Sequence, residues 1–340
     1  MSRHTRLSQR AGARGVTLVE LMIAMALGLL ILAAVSAIYL SSKQTFRAND
    51  NLARVQENVR TAFDTLTRDI RQTAFYGCAG QQVQVTNMLN NANRLLWAFD
   101  NAVYGYEAIS NTAWNETPDP AIVAPLTGRD ILTVRSSQEG GGPVIDQDPT
   151  NLTFSLSGRS GIAAGDFLVV NNCTQARVFQ AISVAQNSGL DVVNYGSGAQ
   201  TPGNNGAAKM GAFYKVAGEL RRLASRVYYV SNNASGVPSL FVLRSDGVAQ
   251  EIAEGVDDMQ VSYGIDTDGN FSADTYLTAD AVPTGTPNGW KDILSVSLAL
   301  TFVSPEDSVA TIAQSNAGGT KDRRMRRQIS TIIALRNRAG

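Results

Sequence analysis

The chain is nearly without histidine: of its 340 residues only His4 is one, and it stands at the extreme N-terminus. That removes Ser-His-Asp and Cys-His catalysis, and with them any histidine-rich metal site. No carboxylate pair stands at a spacing that suggests acid–base chemistry either, so the composition argues against an enzyme. Proline is missing before Pro118, aromatic residues make up 7% of the chain, and glycine is plentiful at 30 residues. This balance suits a turn-rich, strand-rich exterior domain rather than a helical bundle. Lysine plus arginine equals aspartate plus glutamate, 29 of each, and nothing in that balance suggests a broad nucleic-acid-binding face.

What the sequence does have is one long uncharged run, Leu21 to Leu40. About 20 residues at ~1.5 Å rise make a helix of roughly 30 Å, the hydrocarbon thickness of a bilayer. Upstream lie Arg3, Arg6, Arg10 and Arg14, with no acidic residue among the first fifteen. Such a basic leader stays cytoplasmic and places everything after Leu40 outside. A secretory signal carries its small-residue cleavage site after the apolar core, whereas here Gly15 precedes it. Cleavage at Gly15 would free the amine of Val16, retain the apolar helix and leave the rest mildly acidic. Glu20, just inside the apolar run, is costly in a bilayer by about 2.5 to 3.5 kcal/mol unless protonated, interfacial or paired. It therefore calls for a partner.

Gly15 followed by Val16-Thr17-Leu18-Val19-Glu20-Leu21-Met22-Ile23-Ala24 resembles the processing site of type IV pilins and type II secretion pseudopilins. The resemblance implies that a prepilin peptidase cuts after Gly15 and methylates the amine of Val16. It also implies that Glu20 pairs with a neighbouring subunit's amine during filament assembly. This chain has Val16 where the family usually has phenylalanine. A plain signal anchor with Glu20 at the interface is the competing reading.

Two cysteines, Cys78 and Cys173, fall on the exterior side. In an oxidising compartment such a pair forms a disulfide more often than a metal site, and a loop of that length gives about 4 kcal/mol in the chain-entropy model. Two unpaired buried thiols are the alternative.

Beyond Tyr39 the pattern becomes amphipathic. Phe46, Leu52, Val55, Val59, Phe63, Leu66 and Ile70 recur mainly at three- and four-residue steps, and neither proline nor glycine interrupts Ser41 to Tyr76. One helix is thus predicted over 16–77, spanning a membrane at about 18–40 and ending near Gly77-Cys78-Ala79-Gly80. The steps do not hold a strict heptad, which disfavours a coiled-coil stalk.

About 260 residues remain for a β-rich head over 78–340, of one domain or two lobes. Residues 81–128 show little regular pattern. After them, short alternating runs predict strands at Ile131–Arg135, Leu152–Leu156, Phe167–Asn171, Ala176–Val184, Leu190–Asn194 and Val227–Ser231. Four more follow at Leu240–Arg244, Met259–Tyr263, Ile293–Phe302 and Ile329–Leu335. Residues 195–209 read as a mobile Gly/Asn-rich loop. The class is α+β, a long N-terminal helix packed on an antiparallel sheet.

Arg226 to Val230, Ser239 to Arg244, Gly255 to Gly264, Asp266 to Asn270, Trp290 to Thr301 and the ending Ala334-Leu335-Arg336-Asn337-Arg338 look like PilW-type minor pilins. With the N-terminal motif, the resemblance covers roughly half the chain. It implies a pilin-like fold and a non-enzymatic subunit, seated in the bacterial inner membrane with its head in the periplasm and then at the pilus tip or cell surface. It further implies priming of pilus assembly, a part in adhesion and twitching motility, and as partners other minor pilins, the major pilin and a large tip adhesin. A J-type minor pseudopilin of type II secretion shares the leader and plan. A signal-anchored periplasmic binding protein would instead keep its leader and be indifferent to Glu20.

Two clusters remain. Asp266, Asp268, Asn270 and Asp274 place oxygen ligands at alternate positions of a tight loop, which suits calcium. Phe271 and Leu277 occupy the glycine and glutamate positions of an EF-hand, so it is not one, and an Asp/Asn/Gly turn is the alternative. No cofactor is required by any other feature. The Lys321–Arg327 basic run lacks interleaved aromatics, which favours a solvated turn or protein-contact edge over DNA.

Overall fold

A computed structural model describes residues 15–78, 85–205, 210–211, 214–215, 217–284, 289–307, 309–310, 312–315, 319 and 321–338. The leader arginines and His4 lie outside them. The chain divides into two compact units, residues 1–51 and 52–340.

The helix α1 runs over Leu18–Gln72. Thr17 caps it: the Glu20 amide donates to Thr17 Oγ1 at 3.2 Å and the Leu21 amide to the Thr17 carbonyl at 3.1 Å. In the first unit the apolar side chains of 18–40 face outward, and this is a helix long and apolar enough to cross a membrane. In the second unit the same helix becomes amphipathic, burying Val55, Ala62, Leu66 and Ile70 with Val59 and Phe63 beside them. Steps of seven, four and four residues keep these on one face, and each fully buried Leu or Ile is worth about 1.5 to 3 kcal/mol.

The helix stops at Gln72, five residues before the expected end at 77. Thr73 turns its amide to the Ile70 carbonyl at 3.1 Å and its hydroxyl to the Asp69 carbonyl at 2.9 Å. Ala74, at φ 65°, then leaves the helix, and its amide bonds the Arg135 carbonyl at 3.0 Å. A tertiary hydrogen bond, not the glycine at 77, thus ends the element.

The strands in order are β1 (Val85–Asn87), β2 (Val103–Tyr106), β3 (Ile131–Asp148), β4 (Thr153–Ser157), β5 (Phe167–Asn171) and β6 (Ala176–Gln180). Next come β7 (Ser183–Asn187), β8 (Leu190–Asn194), β9 (Glu219–Asn232), β10 (Pro238–Arg244), β11 (Ala249–Glu254) and β12 (Val256–Ile265). The last are β13 (Thr275–Leu277), β14 (Ile293–Val303), β15 (Gln314–Ser315), β16 (Lys321–Asp322) and β17 (Arg326–Ala334).

A four-stranded antiparallel sheet, β13-β12-β14-β17, shares one core with the helix: Ile70 and Leu66 lie with Val261, Leu298, Phe302 and Ile333. The larger sheet runs β1-β6-β5-β9-β3-β4-β8-β7 and adds β10 and β11 beyond β9 and β2 on β3. Its pairings are antiparallel except β1 with β6. Strands β3 and β9 form its axis, paired from Leu132 opposite Tyr228 to Pro143 opposite Glu219 with a register shift between Gln138 and Gly141. Their far ends bend over a separate aromatic core, where Phe154 meets Tyr195 at 4.9 Å and Phe179 at 5.7 Å. The head therefore has distinct apolar cores within one compact unit.

The run Ala176–Val184 is two strands, not one. The chain turns at Ala181 and Ile182, whose amides bond the carbonyls of Asp166 and Asn194 at 2.8 Å each. The loop after Tyr195 is pinned rather than loose as far as Asn205. The buried Asn204 accepts from the Gln180 amide at 2.7 Å and donates to the Gln180 and Tyr195 carbonyls. Residues 206–209 of that loop lie outside the described residues.

Candidate functional site

Gly15 and Val16 precede the first helical turn, and Val16 is 68% exposed. Glu20 sits at the third helical position, where its amide is held by Thr17 and a carboxylate favours the positive end of the helix dipole. Among the described residues nothing donates to that carboxylate. The segment thus leaves Gly15 and Val16 exposed, with the Glu20 carboxylate one turn on.

The second junction is where the helix ends. Cys78 and Cys173 are joined by a disulfide with Cα atoms 4.9 Å apart, tying the chain just beyond α1 to the turn between β5 and β6. Asp69, buried on the last helical turn, accepts the Tyr228 hydroxyl and faces Arg226 Nε at 3.3 Å. The C-terminal tail closes the same region. The Arg336 amide bonds the Arg71 carbonyl at 3.3 Å, and Asn337 Nδ2 the Thr73 carbonyl at 3.2 Å, so the tail satisfies helix-end acceptors. Arg338 is buried and donates to the carbonyls of Trp290 and Ile293 at 3.1 and 3.3 Å; desolvation pulls its pKa down. The Arg-Asn-Arg ending is a clasp between helix and sheet.

The acidic loop brings Asp266, Asp268 and Asp274 together, with one carboxylate oxygen from each within 4.8 Å of the others. Backbone amides already serve them. Asp266 accepts from Gly269 at 2.7 Å and Phe271 at 2.8 Å, and Asp274 accepts the amide and hydroxyl of Thr267 at 2.7 Å each. Asn270 donates to Asp268 Oδ2 at 3.0 Å while its own oxygen takes the Ser272 amide. The Thr267 donors hold the Asp274 carboxyl below the usual range. At Asp266 desolvation pushes upward, but the loop amides outweigh it and the net direction is down. The carboxylates could meet a hard cation, and they equally complete a set of Asx turns.

The basic run is internally committed in part. Arg326 makes a two-point contact with Asp322 at 2.6 and 2.7 Å and reaches Asp257 at 3.1 Å, and Asp257 also meets Arg129 at 3.4 Å. The bond from Arg326 holds the Asp322 carboxyl down.

Sequence reasoning missed a cluster of carboxylates and phenols where β2 and β3 meet β12. Asp130, buried, accepts the amides of Ala108 at 2.9 Å and Val261 at 2.7 Å, and Glu107 accepts that of Ala279 at 3.1 Å. Desolvation, joined by the charge of Asp130, pushes Glu107 up to about 7. Desolvation likewise pushes Asp130 to about 6 despite its two amide bonds. No local signal announces this group, because its members meet only through strand pairing.

Residues 227–337 match the family of type IV pilus-assembly protein W, PilW, and residues 10–36 match the prokaryotic N-terminal methylation motif. The first match takes in β10 to β17, the end of β9 from Val227 and part of the C-terminal clasp; the second takes in Gly15, Val16 and Glu20. No curated protein matches the chain, and no solved structure does.

Proposed function

We propose that this chain, a PilW-type pilin with an N-terminal methylation motif, is a minor pilin that primes type IV pilus assembly and takes its place at the pilus tip. The observation that carries the reading is the co-occurrence of the methylation motif at one end with the PilW match at the other. Prepilin peptidase cuts after Gly15, and the apolar helix from Val16 holds the subunit in the inner membrane with its head in the periplasm. Glu20 pairs with a partner subunit's N-terminal amine, which removes an otherwise uncompensated carboxylate from the hydrocarbon phase. The partners are other minor pilins, the major pilin and a large tip adhesin. The role is structural, not enzymatic.

Glu20→Ala tests the mechanism. The substituted chain should be processed and remain in the membrane yet be absent from sheared filaments; normal incorporation would contradict the role of Glu20. Deletion of the gene should abolish twitching and leave exoprotein release intact, whereas the reverse phenotype would assign the chain to type II secretion.

A further inference from the structure

The stretch between the two family matches builds a cavity of about 550 Å³, bounded by β2 and the loops on either side of it. Tyr104 and Tyr106, two residues apart on β2, share one face of the strand and both line it. Their rings stand edge to face at 5.6 Å. Gly105 between them faces the opposite way, where a Cβ would lie 1.9 Å from the Tyr263 hydroxyl. The strand is therefore seated closely on β12, which fixes the direction of both phenols.

Three carboxylates, Asp100, Glu116 and Asp119, line the same cavity. Asp119 is matched by Arg94 at 3.2 Å, and Glu116 accepts the Tyr104 hydroxyl. Asp100 has no hydrogen-bond or ion-pair partner among the described residues. The cation lining the cavity is Arg135, whose guanidinium is buried and turned to the carbonyls of Asn101 and Leu95. With Asp119 and Arg94 cancelling, two carboxylates face one inward-held guanidinium. Both phenols are uncharged near neutral pH, and burial raises Tyr106 to about 12 and Tyr104 further. Tyr106 is buried and Tyr104 half-buried with its hydroxyl on Glu116, so the wall they form is chiefly aromatic ring.

We propose that this cavity binds an alkylammonium group, its methylenes against Tyr104 and Tyr106 and its charge against Glu116 and Asp100. Tyrosine faces and carboxylates together favour a cation over an anion or a plain apolar group. A lysine side chain of a partner polypeptide and a free diamine carry the same chemistry. The inference does not depend on the pilus reading, since binding is measured without filament assembly.

The test is calorimetric titration of the detergent-extracted full chain with Nα-acetyl-lysine methylamide, with cadaverine, and with the norleucine analogue that lacks the charge. Saturable binding of at least one amine is expected, about tenfold or more tighter than the norleucine analogue. A stronger lysine probe assigns a polypeptide ligand and stronger cadaverine a free amine, both in support. Glu116→Gln and Asp100→Asn, each retaining the wild-type melting temperature, should weaken binding by a similar factor. Absence of saturable amine binding, equal binding of the norleucine analogue, or wild-type affinity in the two variants combined would overturn the proposal.

Discussion

Glu107 and Asp130 hold their protons more tightly in the folded chain than in the unfolded one, because burial disfavours the carboxylate form. Below about pH 3 both are protonated in either state and the linkage vanishes. As pH rises, the unfolded carboxyls ionise first, so this pair lowers stability progressively until about pH 7, where the folded groups have also ionised. Glu107→Gln should therefore flatten the decline of melting temperature between about pH 4 and pH 7. An unchanged slope would show that the group does not titrate in that window. At the acidic loop, whose carboxylates are taken up by its own amides, the melting temperature in millimolar calcium is expected to equal that in chelator. A rise of several degrees would assign calcium to Asp266, Asp268 and Asp274. Gly15, Val16, Glu20 and the acidic loop were legible in the sequence because each is a contiguous motif. Glu107, Asp130 and Arg135 were not, since what gives them their character is contributed by residues tens of positions away.

The helix end shows how one element depends on the others. Its terminus is set by Ala74 meeting β3, by Asn337 on the Thr73 carbonyl, and by the disulfide from Cys78 to the β5–β6 turn. That bridge has a sequence separation of 95 residues, for which loop closure is worth about 4 kcal/mol in the chain-entropy model. Cys78→Ser with Cys173→Ser should lower the denaturation midpoint accordingly, and reductant should then have no further effect. A midpoint unchanged from the wild type would contradict a stabilising bridge. The strands that alternate over most of their length, such as β12 and β14, were legible, and so was the short apolar run of β10. The second half of β3 was not, because Gly140, Gly141, Gly142 and Pro143 obscure its period. There Gly141 sits at φ 108°, where a Cβ would meet the Leu220 carbonyl oxygen at 1.9 Å, so the bulge against β9 requires glycine. Strands β1, β2 and β13 are too short to show a period at all, and β11 is a polar edge.

For the whole molecule, the two matched stretches hold most of an apolar run long enough to cross a membrane and the small sheet on which the later part of the same helix packs. The unmatched middle supplies the aromatic core, built largely on strands that the sequence pattern predicts from Leu152 to Asn194. It also supplies the tyrosine-lined cavity, which apart from Arg135 lies within residues 81–128, where the pattern shows only turns and short apolar pieces. Fold class was thus legible from the ends inward, while the particular architecture of the head was not. If the chain is a filament subunit processed at Gly15, its own N-terminus records the cut. The most direct test is the intact mass and N-terminal sequence of the membrane-extracted protein, from cells with and without prepilin peptidase. A start at Val16 that requires the peptidase is expected; a start at Met1, or beyond Leu40, would rule that processing out.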